Sequence, residues 1–481
     1  MENLVKYLFA IFIISGSSSF AQDAFYKTYS GSNFDEGQGI AQMADSGYII
    51  TGSTAAFSGS ADAFLTRLNK FGDFEWSKKF GGENSDWGRR VFYEEGEGIW
   101  CFGYTNSFNA QSFDFYAFKT DQSGVLEWQT VLGTPDWEKL HDALRLPNGD
   151  FILIGETLGA NSINEDILVL RLDELGNEVW MERVQTNGSD IPHALSVLND
   201  STVIIVGESS NGSNQAAFIL SMHIDGSTNW MNFYEPSKQG AFYDVDIFDN
   251  NIYAVGGLID TGEIEPDLWM IRTNTDGILI YDHIDVYDGT VYFSKVKMVG
   301  DGRLYVSVIS DAPSFNPFIV GVDHFFMKYH QNLFWNGLSQ SFSGVNDDLV
   351  HEMIETNDGG IAVIGSVSDN RVINTPGTDI TVIKIGINDE IVPVASSDEL
   401  VSVIAFESTS VEVFPNPMMN VLHILIPNNS PANYSIISAD GREHLSGSVS
   451  NSQVDVSQLA SGAYFLLIQI NNEVKTIKLI K

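Results

Sequence analysis

Cysteine is all but absent: Cys101 stands alone in 481 residues. A single thiol excludes an intramolecular disulfide and any paired-cysteine metal or redox site. It lies in the apolar run GIWCFG, the setting of a buried, inert thiol and not of a nucleophile, which wants a positive neighbour. Basic residues are also few. Lys and Arg number 25 against 63 Asp and Glu, a formal net charge of −38. A surface of that sign repels phosphate backbones, so nucleic acid is excluded as a partner, and it favours solubility outside the cell. Long apolar runs are missing too. The one near the start, Leu8-Phe9-Ala10-Ile11-Phe12-Ile13-Ile14, is too short to span a bilayer, and no transmembrane span is expected. No GxSxG, HExxH, Walker loop or CxxC occurs, so no motif assigns a catalytic residue, a metal ligand or a cofactor.

What is abundant is glycine, with 43 residues, and aromatics at 12%. That mixture suits short strands joined by tight turns. The stretch DILVLRLDELGNEVW, residues 166–180, has a counterpart 52 residues earlier, DFYAFKTDQSGVLEW, and another 52 before that, DAFLTRLNKFGDFEW. Three copies at one period define a repeat. Each unit holds four strand-like pieces, such as GRRVFYEEG, GIWCFGY, DFYAFKTD and LEWQTVLG. The unit-closing tryptophan recurs at Trp76, Trp128, Trp180, Trp230 and Trp335, with Ile280 in its place in one unit.

The last unit, residues 347–390, has no LEWxxxxG piece, whereas AFYKTYSG, residues 24–31, has the pattern of a fourth strand. A first strand that completes the last unit closes a ring and removes the open edges of the sheets. The repeat therefore predicts an all-β fold: a seven-bladed β-propeller of four-stranded blades, with the N-terminal strand closing the last blade. The recurring residues have structural duties in it. Tryptophan packs between neighbouring sheets, the glycine of the D-x-x-G turn supplies positive φ, and the Asp that heads the third strand (Asp62, Asp114, Asp166, Asp267, Asp379) caps a loop.

Four segments follow. Residues 1–21 read as a signal peptide, with Lys6 in the positive region and Ser19-Phe20-Ala21 as the cleavage site; the mature chain is expected from Gln22. Residues 22–390 form the propeller and 391–410 a linker. Residues 411–481 form a small immunoglobulin-like β-sandwich of alternating strands. This last stretch carries Phe414-Pro415-Asn416-Pro417, Asp440-Gly441-Arg442, Leu459 to Phe465 with Gly462 and Tyr464, and the basic tail Lys475-Thr476-Ile477-Lys478. On those motifs it resembles the type A sorting domain of the type IX secretion system of Bacteroidota. The resemblance implies passage across the outer membrane by the type IX machinery, usual removal of the domain, and a secreted, extracellular or outer-membrane-surface address. The repeats resemble secreted propellers that accompany such domains. They are more distantly similar to quinoprotein-like repeats, but Cys101 alone departs from the paired cysteines that hold a quinone there.

Candidate chemistry is sparse. His141, His193 and His351 fall near one slot of the first strand of their units (HDALRL, HALSVL, HEMIET), with Gly39-Ile40 and Arg89-Arg90 near it elsewhere. First strands line a propeller's channel, where imidazoles can ligate a metal or move protons. A slot that accepts several residue types makes that ring incomplete. Asp142, Asp244, Asp246 and Glu352 lie on or beside first strands, and two of them across a pocket would suit acid–base work. Asn274-Thr275-Asp276-Gly277 imitates part of a calcium loop but lacks the later Glu, which makes it a turn. The expected function is a non-enzymatic propeller that displays a face for a protein or glycan ligand. The alternatives are a carbohydrate hydrolase using channel carboxylates and a structural surface-layer or adhesion element.

Overall fold

The computed structural model describes residues 24–30, 35–55, 60–108, 110, 112–159, 162, 164–210, 215–235, 237–260, 262–287, 289–311, 323–330, 335–342, 348–367, 378–387, 389, 402–403, 412–414, 421–425, 432–438, 442–449, 453–470 and 473–481. The expected signal peptide, most of the expected linker, and Pro415, Asn416, Pro417, Asp440 and Gly441 lie outside them, as does the side chain of Trp335.

Every regular element among the described residues is a strand. Six four-stranded antiparallel sheets cover residues 35–80, 86–132, 137–184, 189–234, 239–285 and 291–342. One more sheet joins Asp348–Glu355, Ile361–Val367 and Asp379–Ile385 to the N-terminal strand Phe25–Ser30. The closing register runs from Phe25 opposite Lys384 to Tyr29 opposite Ile380, so the expected ring closure holds. Ser402–Val403 adds outside it as a parallel strand on Tyr29 and Ser30. The innermost strand of each sheet packs on that of the next, and the strand Asp35–Gln42 packs on Asp348–Glu355, which completes the circle of a β-propeller.

The second and third strands are buried along almost their whole length. Tyr48–Thr54, Asp62–Leu68 and Ile361–Val367 show no exposed residue. They are near-continuous apolar runs because a neighbouring sheet covers each face. Outer strands are more exposed, as in Glu178–Val184, where no residue is fully buried.

The tryptophans occupy a joint between sheets. Trp76, Trp128, Trp180 and Trp230 are half-buried, each opposite a residue near the end of its third strand: Arg67, Lys119, Arg171 and Ser221. Each ring lies on the turn glycine of the following sheet. A Cβ on Gly124 would stand 2.8 Å from Trp76 Cη2, one on Gly176 2.7 Å from Trp128 Cη2, and one on Gly277 2.7 Å from Trp230 Cη2. Those glycines have φ of 74°, 83° and 72°, so they meet two demands that only glycine satisfies together, close approach and a left-handed backbone. The residue before the turn fastens it from within: the Asp173 carboxylate accepts the N–H groups of Leu175 and Asn177, and the Asn274 side chain those of Asp276 and Ile278. In the unit without tryptophan the register corrects the sequence reading. Tyr281, not Ile280, stands opposite Arg272. Ile280 is 49% exposed, while Tyr281 packs on the core. Tyr281 keeps the four-residue distance from the turn glycine that the tryptophans keep.

The aspartates that head third strands face basic residues of the outer strand or the connection after it. Asp62 pairs with Lys79 at 3.4 Å, Asp166 with Arg183 at 2.6 Å, and Asp267 accepts the Tyr287 N–H.

Beyond the propeller, a four-stranded sheet (residues 432–480) and a three-stranded one (residues 412–455) share an apolar core that includes Leu422, Ile436, Val454, Leu466 and Leu479. Gly462 and Lys481 exchange both backbone hydrogen bonds. Tyr464 is buried, its hydroxyl donating to the Ala460 carbonyl and its ring meeting His444 edge-on.

Candidate functional site in the central channel

Each innermost strand carries a bulge, one residue left unpaired against the second strand. The bulged residues are Gln38, Arg89, His141, His193, Tyr243, Ser294 and His351. A bulge breaks the two-residue alternation, so this residue and the next are both re-aimed. Two layers result.

The inner layer is a polar cavity lined by Arg90, Asp142, Asp244, Asp246, Lys295, Lys297 and Glu352 together with backbone-flanking apolar residues. Four carboxylates share three cations. Arg90 contacts Asp142 and lies 2.9 Å from Glu352. Lys297 lies 2.9 Å from Asp246, and Lys295 lies 3.9 Å from Asp244. Each carboxylate also accepts a backbone N–H from the next sheet: Asp142 from Leu195 at 3.1 Å, Asp244 from Val296 at 2.8 Å, Asp246 from Met298 at 2.8 Å, and Glu352 from Ile40 at 2.7 Å. Burial pushes Glu352 and Asp244 upward, against Arg90 for the one and Lys295 for the other. Arg90 is held charged by Asp142 and Glu352 despite its burial. These carboxylates fasten sheet to sheet, and their oxygens are committed to that work.

The outer layer, the mouth, is built differently. His141 Nε2 lies 3.3 Å from Glu156 Oε1 but off the N–H line, and makes no hydrogen bond among the described residues. Burial takes His141 down to about 4 against the pull of Glu156, so the ring is neutral at neutral pH. His193 repeats the arrangement with Glu208 at 3.9 Å, and its Nε2 is likewise without a hydrogen bond. His351 Nε2 lies 3.1 Å from Ser366 Oγ. Rings run on from blade to blade: His141 meets His193 at 5.9 Å, His193 meets Tyr243 at 5.2 Å, and Tyr243 meets Tyr292 at 5.1 Å. Trp87 stacks on Tyr104 at 4.8 Å, and Phe113 closes edge-on against both. Among the described residues no group of three His, Cys, Asp or Glu side chains is placed to hold a metal.

Of the histidines singled out in the sequence, His141 and His193 thus meet, while His351 stands apart on Ser366. The sequence reading missed Gln38, Tyr243 and Ser294 as members of the same ring. One signal finds them: each lies three residues after the slot held by Asp35, Asp86, Glu138, Asp190, Gly240, Val291 or Asp348, the first or second residue of its innermost strand. Cys101 is buried, 3.2 Å from the Thr51 hydroxyl, and burial pushes its thiol up to about 12.

No helix among the described residues is long and apolar enough to cross a membrane. A comparison with curated proteins finds no match. Among solved structures, the chain is similar to the polysaccharide lyase Uly1, with 11% identity over 75% of this chain and 91% of that one, TM-score 0.49. It is similar to a puromycin hydrolase at 10% identity over 91% of this chain and 62% of that one, TM-score 0.49. It is similar to the β-propeller domain of the Trilobed protease from Pyrococcus furiosus at 10% identity over 79% of this chain and all of that one, TM-score 0.42. Residues 412–481 match the family described as the secretion system C-terminal sorting domain. The propeller is therefore cargo, and the tail that follows it is a type IX sorting domain that directs export to the cell surface or the extracellular space.

Proposed function

We propose that this exported propeller is a non-enzymatic display protein whose channel mouth binds a protein or glycan ligand. In this reading residues 1–21 are a signal peptide, 22–390 the propeller, 391–410 a linker and 411–481 the sorting domain. One contrast carries the reading. The deep carboxylates that an acid–base pair would need are each taken up by a basic group and a neighbouring backbone N–H, whereas the mouth above them carries a run of half-buried imidazole and phenol rings. Aromatic surface in a concave mouth is what a binding pocket presents to its ligand.

The test is capture of the purified chain on arrays of glycans and outer-surface proteins, beside a broad hydrolase screen. Capture that His193→Ala with Tyr243→Ala removes, without loss of melting temperature, supports the reading. Hydrolysis that survives purification and disappears in Asp142→Asn with Glu352→Gln would replace it with the carbohydrate-hydrolase alternative.

A further inference from the structure

Arg89 differs from the channel cations Arg90, Lys295 and Lys297. Arg90, Lys295 and Lys297 each hold a carboxylate within ion-pair reach. Arg89 has none among the described residues. Its one side-chain hydrogen bond goes from Nη1 to Gln38 Oε1 at 2.7 Å, and Gln38 in turn leans on Glu36 at 3.4 Å. The guanidinium lies near enough to Tyr104 and His141 to interact electrostatically with both. Partly desolvated charge without a partner is costly, and a protein with 63 acidic residues has carboxylates to spare. Leaving Arg89 open leaves five N–H donors, less the one on Gln38, for an anion from outside.

Resting on the binding reading above, we propose that the mouth takes a carboxylate-bearing sugar, with Arg89 as the counter-charge of a uronic acid residue. The guanidinium fork matches a carboxylate bidentately. Trp87, half-buried and stacked on Tyr104, has an outer ring face of the kind that covers the apolar side of a pyranose. The net charge of −38 repels a dense polyanion. The ligand that fits is accordingly a glycan with sparse uronic acids or a single acidic chain end.

The experiment uses the full chain against glucuronoxylan, alginate and polygalacturonate, and against the carboxyl-reduced form of each, with poly-glutamate as competitor. At least one acidic glycan should be retained. Carboxyl reduction and Arg89→Gln should each weaken retention by about tenfold or more, the scale of one charge-assisted pair, with Arg89→Gln melting like the parent. Retention of none, equal retention of the reduced forms, or undiminished binding by Arg89→Gln overturns the proposal. Displacement by poly-glutamate as readily as by free glycan also overturns it and assigns Arg89 to acidic peptides. If Arg89→Gln does not fold, the comparison of native with reduced glycan on the unaltered chain decides alone. Reduced glycans held equally well and released by His193→Ala with Tyr243→Ala would sink the carboxylate assignment and leave the binding face standing. An absence of capture both here and on the arrays would sink both.

Discussion

Phe25 lies on Gly72: a Cβ at that glycine would come within 2.7 Å of the Phe25 ring. Phe25 stands opposite Lys384 as Trp76 stands opposite Arg67, so the N-terminal strand delivers to the last sheet the ring that the sheets of Trp76, Trp128, Trp180 and Trp230 draw from their own outer strands. Lys27 and Tyr29 add an ion pair to Asp73 and a hydrogen bond to the Gly72 carbonyl. The closing joint is therefore built on the plan of the sequential ones.

Deleting residues 25–30 should cost several kcal/mol, since it bares the edge of Asp379–Ile385 and uncovers buried Ile380 and Val382. Gly72→Val should cost about 2–3 kcal/mol on its own, because φ is 76° and Phe25 occupies the space. Urea unfolding of the three proteins checks both. Equal midpoints would mean that the ring holds without this strand.

Trp128→Ala should destabilise by about 2–3 kcal/mol, below the range of about 3–5 for a wholly buried aromatic ring, since Trp128 is half-buried. Val125→Ala, at a turn tip 55% exposed, should change stability by less than about 0.5 kcal/mol. Denaturant midpoints that rank the two the other way would contradict the joint described for Trp128 and Gly176.

Arg90→Ala should cost about 3–5 kcal/mol, the usual penalty for stranding buried charge, because Asp142 and Glu352 both lose their counter-ion. Arg90→Ala combined with Asp142→Ala should restore part of that loss, and a double-mutant cycle measures how much. Additive effects would mean that the two do not act as one network.

His283 and Asp285, 3.0 Å apart, make stability fall with rising pH. The hydrogen bond to Asp285 raises His283 above its ordinary value. A raised imidazole stabilises the fold fully below the unfolded value near 6.5, and that contribution disappears as pH climbs through the raised value. Melting temperatures between pH 6 and pH 9 should fall, and His283→Gln should fall less. Parallel curves would remove the pair from the account.

Much of the architecture was legible because each element carries its own pattern. The apolar runs of second and third strands, the turn glycines and the 52-residue period all sit in contiguous sequence, and the strand-like AFYKTYSG declared itself by the piece the last unit lacks. The channel was harder to read. Bulges shift the alternation by one in each innermost strand, so no local pattern separates Arg89, which faces the mouth, from Arg90, which is locked to Asp142 and Glu352. The ring slot is also defined by place and not by residue type, as Gln38, Arg89, His141 and Tyr243 share it. The choice of Ile280 failed for a related reason. Apolar character drew the reading to it, while distance from Gly277 fixes Tyr281.

The closure by residues 25–30 also sets an order in time. This strand is the first of the propeller to be made, yet its partner Asp379–Ile385 is made nearly 350 residues later. During synthesis every other sheet can complete itself from neighbouring chain, but the first strand must wait unpaired for the last. Joining them closes the longest loop in the propeller, so the entropic cost falls on the final step, and the ring is expected to fold slowly and to seal all at once.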